Sequence, residues 1–300
     1  MLAGPIPNQV LVSRWFSRRR GRAMGYAYLG LGLGGVVAPL LINYLSHTLG
    51  WRHALQFLGV VILLVLFPVA VWVTRSAPEE LGMDAEPIVE TELALKGCSL
   101  QSPSSVGVAQ AARSVSFWLI LAGSALVIGT IGAVIQHFIL FLKDAGYSAT
   151  VAARFSTVLL ASSLGGRVIV GYLADRFRKT HIMTFFYFLI GASVFLLVNA
   201  PSSVDLYTFA IIFGFSMGAD YMLVPLVTAE CFGTAALGKL LALIIMGYSI
   251  GQWAAPWMVG RIFDARHSYD LAWKIIATAG VLGAAAIYAI PSPNRLAKTT

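Results

Sequence analysis

Three ionisable side chains fall inside long apolar segments, where a charge is costly and therefore marks a candidate functional group. Arg167 carries a guanidinium that stays protonated and can bind a carboxylate through two parallel hydrogen bonds. Asp220 can take up a proton or serve as the counter-ion of Arg167. His137 can change its charge near neutral pH. These residue types predict a site for an anion, with Asp220 and His137 as candidates for a coupled proton.

Each of these residues also has a structural interpretation. Arg167 and Asp220 could form a fixed ion pair between two helices, and His137 could be a packing histidine with satisfied nitrogens. Gln252 could bind a ligand or hydrogen-bond a neighbouring helix. No residue is predicted to hold a metal or a cofactor. The candidate binding set consists of Arg167, His137, Gln136, Asp220, Tyr221 and Gln252.

Composition indicates where these side chains must lie. Of the residues, 58% are hydrophobic and 11% are charged, and the mean hydropathy is +0.79. A soluble domain carries roughly 25% charged residues, so the surplus apolar surface must face lipid. The net charge of +8 comes from bases placed between apolar runs, which favours membrane topology over a nucleic-acid partner. Cys98 and Cys231 lack the spacing of a metal or redox site.

Eight segments approach the length of about 20 apolar residues that a membrane-spanning helix needs. The segments favour helices over strands, because they are long, lack period-two alternation and as strands would need a closed barrel. The fold class is therefore an all-α polytopic membrane protein with eight transmembrane helices. The predicted spans are Ala23–Leu45, Ala54–Val73, Val115–Leu142, Phe155–Ala174, Ile182–Asn199, Leu206–Glu230, Leu240–Val259 and Leu271–Ile290.

The distribution of bases predicts the orientation of these spans. Eight spans place both termini on one side, which also receives the segment 75–113, rich in proline, serine and acids. That side carries fourteen bases and the opposite side six. The positive-inside rule therefore places the termini and this linker in the cytoplasm, with the spans in the cell (inner or plasma) membrane.

An internal repeat relates the start of the sequence to its end. When Gly21-Arg22 is aligned with Gly238-Lys239, Gly30 meets Gly247, Gly34 meets Gly251, and Pro39 meets Pro256. We expect these six residues to pack helices closely. The second copy holds six spans and the first only two, so helices equivalent to residues 115–217 are expected to be missing from an N-terminally truncated chain. Without them, we expect an incomplete central cavity and no coupled uptake by this chain alone.

Two motifs resemble those of the major facilitator superfamily. Gly171-Tyr-Leu-Ala-Asp175-Arg176-Phe-Arg178-Lys179 is similar to its loop signature G-x-L-A-D-R-x-G-R/K. The segment from Trp15 to Gly25 is similar to W-F-x-x-R-R-G-x-A-x-G, where its fifth helix begins. The resemblance implies a 6+6 parallel pseudo-repeat, with these spans as helices five to twelve. It also implies a conformational role for Gly171, Asp175, Arg176 and Lys179.

If the spans are helices five to twelve of that fold, the chain divides into four segments. Residues 1–74 are a remnant of the N-terminal bundle, with the end of helix 4 and helices 5 and 6. Residues 75–113 are the linker, 114–291 a complete six-helix C-terminal bundle, and 292–300 a cytoplasmic tail. Pseudo-symmetry predicts that Asp175 contacts the N-terminal end of the span that begins at Gly21–Ala23, where a helix dipole favours a carboxylate.

Within the superfamily, the sequence resembles the oxalate/formate and monocarboxylate transporter branch. Gly166-Arg167-Val-Ile-Val-Gly171 is similar to the eighth-helix pattern in which an arginine holds the substrate carboxylate, and Gln136-His137-Phe138 also fits. Three features depart from the family patterns. Ser163 stands where monocarboxylate carriers have an acid, and the span Leu240–Val259 lacks the lysine of oxalate exchangers. Arg178 stands where the loop signature of the superfamily has a glycine.

The resemblance implies a secondary active transporter of a small organic anion, working by alternating access as a symporter or antiporter. Its partners would be the bilayer, the anion and, if transport is proton-coupled, protons. A non-transporting remnant is the main alternative. A membrane enzyme lacks a supporting motif, and a channel would need a filter loop or a charged ring. If Arg167 and Asp220 pair at rest, an arriving carboxylate would displace Asp220, which could then take up a proton.

Overall fold

The computed structural model describes residues 5–16, 19–69, 71, 107–198 and 202–291, and nearly all of them are helical. Within these ranges there is no strand. A 3-10 turn at Phe195–Leu197 follows directly on the α-helix that ends at Val194. The α-helices are α1 (Pro5–Trp15), α2 (Arg20–Leu49), α3 (Trp51–Pro68), α4 (Val108–Ala112), α5 (Val115–Asp144), α6 (Ala149–Arg176), α7 (Lys179–Val194), α8 (Ser203–Phe232), α9 (Leu237–Arg266) and α10 (Asp270–Tyr288).

Serine residues determine where three of the long helices begin. Ser114 and Ser148 accept hydrogen bonds from backbone N–H groups in the first turns of α5 and α6. Ser202 and Asp205 form a reciprocal capping box at the start of α8. These side chains satisfy backbone donors that have no partner inside a helix. Helices α6 and α8 therefore begin at Ala149 and Ser203, a few residues before the predicted spans, whereas α5 begins at Val115, as predicted.

In the part of the chain that the structure describes, six helices, α5 to α10, are long and apolar enough to cross a membrane, with α7 extended to Leu197. Each contains or closely matches one predicted span. The predicted spans Ala23–Leu45 and Ala54–Val73 fall on α2 and α3, although residues 72–106 lie outside the described part of the chain. Cys98 and most of the predicted linker lie there too. The count of eight crossings stays a prediction.

Helices α5 to α10 form a bundle in which α5 packs on α9, α6 on α8, and α7 on α10. Its core holds large side chains with at most 1% exposure, among them Phe155, Tyr187, Phe209 and Trp273. Outside this bundle, α2 packs along α6, and α3 contacts α2. The face between α2 and α6 therefore joins the first part of the chain to the second.

Glycine allows α6 and α8 to pack with their backbones in contact. A Cβ atom added to Gly166 would lie 2.9 Å from the carbonyl carbon of Phe215. Added to Gly214 or Gly218, it would lie 2.9 Å from that of Leu159 or Ser163. Because the neighbouring atoms belong to the backbone, they cannot rotate away. Close helix approach at small residues is the usual packing mode of membrane helices.

The predicted packing glycines divide into two groups. Gly247 and Gly251 in α9 lie at close contacts with α5, since a Cβ there would meet the Leu121 side chain at 2.7 Å and the Ala125 carbonyl carbon at 2.9 Å. Gly30 and Gly34 do not show the predicted packing, because no described atom lies within 4 Å of a Cβ at either position. The repeat predicts that α2 packs through the same face that α9 uses against α5. Among the described residues, no helix covers that face of α2.

A different glycine face of α2 makes the contact with α6. Gly21, Gly25 and Gly32 lie on it, and a Cβ at Gly25 would meet the Arg167 carbonyl oxygen at 2.6 Å. Of the two prolines in the predicted set, Pro256 is buried inside α9. The side chain of Pro39 lies outside the described residues.

Candidate functional site

Arg167 lies between α6 and α2, with 6% of its surface exposed. Its Nη1 donates a hydrogen bond to the backbone oxygen of Tyr28, 2.8 Å away. Its Nε is buried without a partner among the described residues. A guanidinium carries five N–H donors, so Arg167 keeps capacity to bind an anion. The prediction that this arginine is buried well inside its helix agrees with the structure.

Two tyrosines and a glutamine lie beside Arg167. The rings of Tyr28 and Tyr221 stack at 25° with their centroids 6.2 Å apart. Gln9 Nε2 donates to the Tyr28 hydroxyl at 2.6 Å and to the Tyr221 carbonyl at 3.3 Å. Gln9 Oε1 is buried without a described partner. Tyr221 is 43% exposed, which gives this cluster an opening.

Sequence reasoning found Tyr221 but missed Tyr28 and Gln9. A signal for Tyr28 was present: Gly21, Gly25, Tyr28 and Gly32 follow one another at spacings of four, three and four, which places them on one face of α2. That face packs on α6. No comparable signal marked Gln9, which lies in the short helix α1.

Asp220 is buried at 4% exposure, but not beside Arg167. Its Oδ1 accepts a hydrogen bond from the Tyr187 hydroxyl at 2.7 Å, and that hydroxyl lies 3.4 Å from Ser124 Oγ. No ion pair joins Arg167 and Asp220 in the described ranges, so the predicted resting pair is absent. Neighbouring residues of a helix project about 100° apart, so Asp220 faces α7 while Tyr221 faces Tyr28. The predicted displacement of Asp220 by a carboxylate at Arg167 therefore lacks its starting contact.

The other predicted site residues meet in a separate cavity of about 470 Å³ between α5 and α9. His137 Nε2 donates to the Pro256 carbonyl at 3.0 Å, and its Nδ1 is buried without a described partner. The rings of Trp253 and Trp257 stack at 8° with centroids 6.3 Å apart. The volume suits a small ligand. The cavity is lined by Gln136, His137, Ser249, Gln252, Trp253, Pro256 and Trp257.

The loop motif joins α6 to α2 at one end of the helices. Asp175 Oδ1 accepts from the Gly21 N–H at 2.7 Å, and Oδ2 from the Arg22 N–H at 3.2 Å. Arg22 Nε lies 3.4 Å from Oδ2, and the Asp175 side chain is 7% exposed. A carboxylate at a helix N-terminus is stabilised by roughly 0.3–1 kcal/mol when exposed, and by up to about 2 when partly buried. The predicted contact is confirmed.

The remaining motif residues differ in their surroundings. A Cβ at Gly171 would lie 2.8 Å from the Gly21 carbonyl oxygen, so glycine is needed for the close approach of α2. Arg176 is exposed and Lys179 is half-buried. The guanidinium of Arg22 lies over the Tyr172 ring, 4.3 Å from its centroid. The motif therefore combines backbone contact, charge and aromatic packing.

The fold and these sites define an integral membrane protein whose polar groups lie between apolar helices. In the described part of the chain, no group of three or more metal-ligating side chains occurs. The family model of the Major Facilitator Superfamily matches residues 3–256, and the chain belongs to this family. Its members are transporters, so the prediction that the chain is not an enzyme is confirmed.

Curated relatives support the predicted branch. The chain is 25% identical to Monocarboxylate transporter 12 of Mus musculus, a match that covers 98% of this chain and 64% of the relative. It is also 25% identical to MFS transporter asaE of Aspergillus flavus, over 92% of this chain and 58% of the relative. The chain thus spans about three-fifths of the length of these relatives.

A solved structure supports the fold. The Escherichia coli fucose:proton symporter FucP matches with a TM-score of 0.69 at 13% identity, over 96% of this chain and 73% of that one. At this identity the likeness concerns the fold alone. The predicted resemblance to the superfamily and to its monocarboxylate transporter branch is confirmed.

Proposed function

We propose that the chain acts in secondary active transport of a small organic anion of the monocarboxylate kind, by alternating access. Membership of the superfamily supports transport, and relatives named as monocarboxylate transporters support the substrate class. In this mechanism two helix bundles move around a central site. The interface between α2 and α6 would be one of the surfaces that move.

The observation that carries the proposal is the buried guanidinium of Arg167. A permanent cation inside apolar helices is tolerable when an anion, an acid or water lies near it. The structure provides no acid in contact with it among the described residues, and its Nε has no partner. A substrate carboxylate would supply the missing acceptor. Tyr28 and Tyr221 would bound the space beside it.

We place the coupled proton on Asp220 or His137. Asp220 is the acid buried in the bundle core, where its hydrogen bond to Tyr187 connects α8 to α7. His137 offers an unpartnered Nδ1 beside the cavity between α5 and α9. Neither Asp220 nor His137 contacts Arg167. Proton and anion movement would therefore be coupled through movement of the helices, rather than through displacement of an acid from Arg167 by the substrate. Gln136 and Gln252 line the cavity beside His137, and they would contact the substrate if it occupied that cavity rather than the space beside Arg167.

Uptake of radiolabelled lactate into proteoliposomes tests the proposal. For this test, the chain is fused to the part of mouse Monocarboxylate transporter 12 that the match to this chain does not cover. We expect the fused protein to show saturable uptake that an inward proton gradient accelerates. We expect none from the chain alone, because a central cavity needs helices from both bundles. Asp220→Asn should keep uptake at equal pH but lose its acceleration by the gradient.

Liposomes without protein and wild-type proteoliposomes with a protonophore serve as controls. Uptake by the fused protein no faster than in empty liposomes would count against transport of this substrate class. If Asp220→Asn keeps the response to the gradient, Asp220 is a packing residue and His137 becomes the candidate to test.

We also propose that the linker and both termini lie in the cytoplasm, which the distribution of bases supports. A Cys231→Ser protein leaves Cys98, in the linker, as its single thiol. In intact cells, we expect an impermeant maleimide to leave Cys98 unlabelled, and to label it after the membrane is opened. Equal labelling before and after would reverse the orientation.

A further inference from the structure

An apolar groove runs between α7 and α10, away from both candidate sites. It encloses about 460 Å³. The two helices touch where a Cβ on Gly280 would lie 2.6 Å from the Gly191 Cα. Beyond this contact, α7 presents bulky rings while α10 presents alanine, so the space between them is not filled. The groove is lined mainly by His181, Thr184, Phe185, Phe188, Ala285 and Tyr288.

Two further cavities adjoin one end of the groove, and positively charged side chains line them. One, of about 350 Å³, is lined by Arg178, Thr180, His181 and Tyr288, among others. The other, of about 440 Å³, contains Arg176, Arg178, His181 and Phe185. His181 lines all three spaces, and both arginines are exposed. The apolar groove therefore opens directly onto a basic cluster.

An acid lies in the neighbourhood of this cluster. Glu230 and Arg178 both act electrostatically on the Cys231 thiol. No ion pair links Glu230 to Arg178 in the ranges that the structure describes, so the guanidinium keeps its donors. Lys179, half-buried at the start of α7, adds a further positive charge. Basic side chains therefore outnumber acidic ones at this end of the groove.

We propose that this surface binds an anionic phospholipid, with one acyl chain in the groove between α7 and α10 and the phosphate between Arg178 and His181. The groove is apolar over its length and basic at its mouth, which matches the two parts of such a lipid. Phosphate accepts hydrogen bonds from arginine in a bidentate geometry. In the orientation proposed above, the mouth faces the cytoplasmic leaflet, which holds the anionic lipids of the membrane. This inference does not depend on which substrate is transported.

Native mass spectrometry of the purified 300-residue chain measures this binding, with phosphatidylglycerol and phosphatidylcholine as probes. We expect preferential binding of phosphatidylglycerol. Arg178→Gln should weaken it about fivefold, the equivalent of roughly 1 kcal/mol for one base near an anionic surface. Ala285→Trp should weaken both lipids, because the indole would occupy the groove without entering the core, Ala285 being exposed.

Two variants serve as matched controls. Arg154→Gln removes an exposed base at the opposite end of α6, and Leu282→Trp adds an indole to an exposed position outside the groove. Neither should change lipid binding. Equal affinity for both lipids, unchanged binding in Arg178→Gln, or competition by glycerol phosphate as strong as by the whole lipid would each overturn the proposal. In the last case the basic cluster would be a site for a soluble anion.

Discussion

Gly166→Val is expected to prevent stable assembly of α6 on α8, whereas Gly165→Val, at the preceding residue, is expected to be tolerated. A Cβ at Gly166 would overlap the backbone at Phe215, and its nearest described carbon would be 2.9 Å away. No described atom lies within 4 Å of a Cβ at Gly165. Overpacking typically costs about 1–3 kcal/mol, and more is expected here because the overlap is with backbone rather than a side chain.

Because both substitutions place valine in the same helix, the difference in helix propensity cancels between them. The apparent melting temperature and the monodisperse fraction on size-exclusion chromatography measure the effect. A loss of about 3 kcal/mol would remove a large part of the stability of a typical domain, which is about 5–15 kcal/mol. Gly166→Ala should fall between wild type and Gly166→Val. Equal stability of the two valine variants would show that α6 and α8 are not in backbone contact.

The contact of Asp175 with the start of α2 could be predicted from sequence because two independent features agreed. The loop signature placed a carboxylate at the end of one helix, and the repeat placed the N-terminus of another beside it. Its distances of 2.7 and 3.2 Å to the Gly21 and Arg22 N–H groups are those of hydrogen bonds. Helix ends are fixed by polar residues and by the membrane boundary, so depth alone nearly determines this contact.

The partner of Asp220 could not be predicted, because depth in the membrane does not fix the rotation of a helix about its axis. Their similar depth predicts a contact between Arg167 and Asp220, but Asp220 faces Tyr187 in α7. The same limit explains the glycines of α2. Gly30 and Gly34 lie on one face of α2, and Gly25 and Gly32 lie on another. The second face is the one that packs on α6. Hydrophobicity does not distinguish two glycine faces of one helix.

The binding role of Arg167 gives the second large effect. In the fused transporter, Arg167→Lys is expected to raise the lactate concentration for half-maximal uptake at least about tenfold. An ammonium cannot reproduce the two parallel hydrogen bonds of a guanidinium, and one hydrogen bond to a charged group is worth about 1.5–3 kcal/mol. Arg167→Gln, which removes the charge, should have a larger effect. Arg154→Lys, at an exposed position near the start of α6, should have none.

A structural role of Arg167 must be separated from a binding role, because its Nη1 also donates to the Tyr28 carbonyl and so holds α2 against α6. Competition by lactamide, which has the shape of lactate without its charge, makes this separation. Loosened packing would weaken lactate and lactamide alike, whereas loss of a carboxylate contact would reduce the preference for lactate over lactamide. We expect that preference to fall in Arg167→Lys while the melting temperature changes little. An unchanged preference, with a lowered melting temperature, would make Arg167 a packing residue between α2 and α6 and would move the search for the anion site to the cavity beside His137 and Gln252.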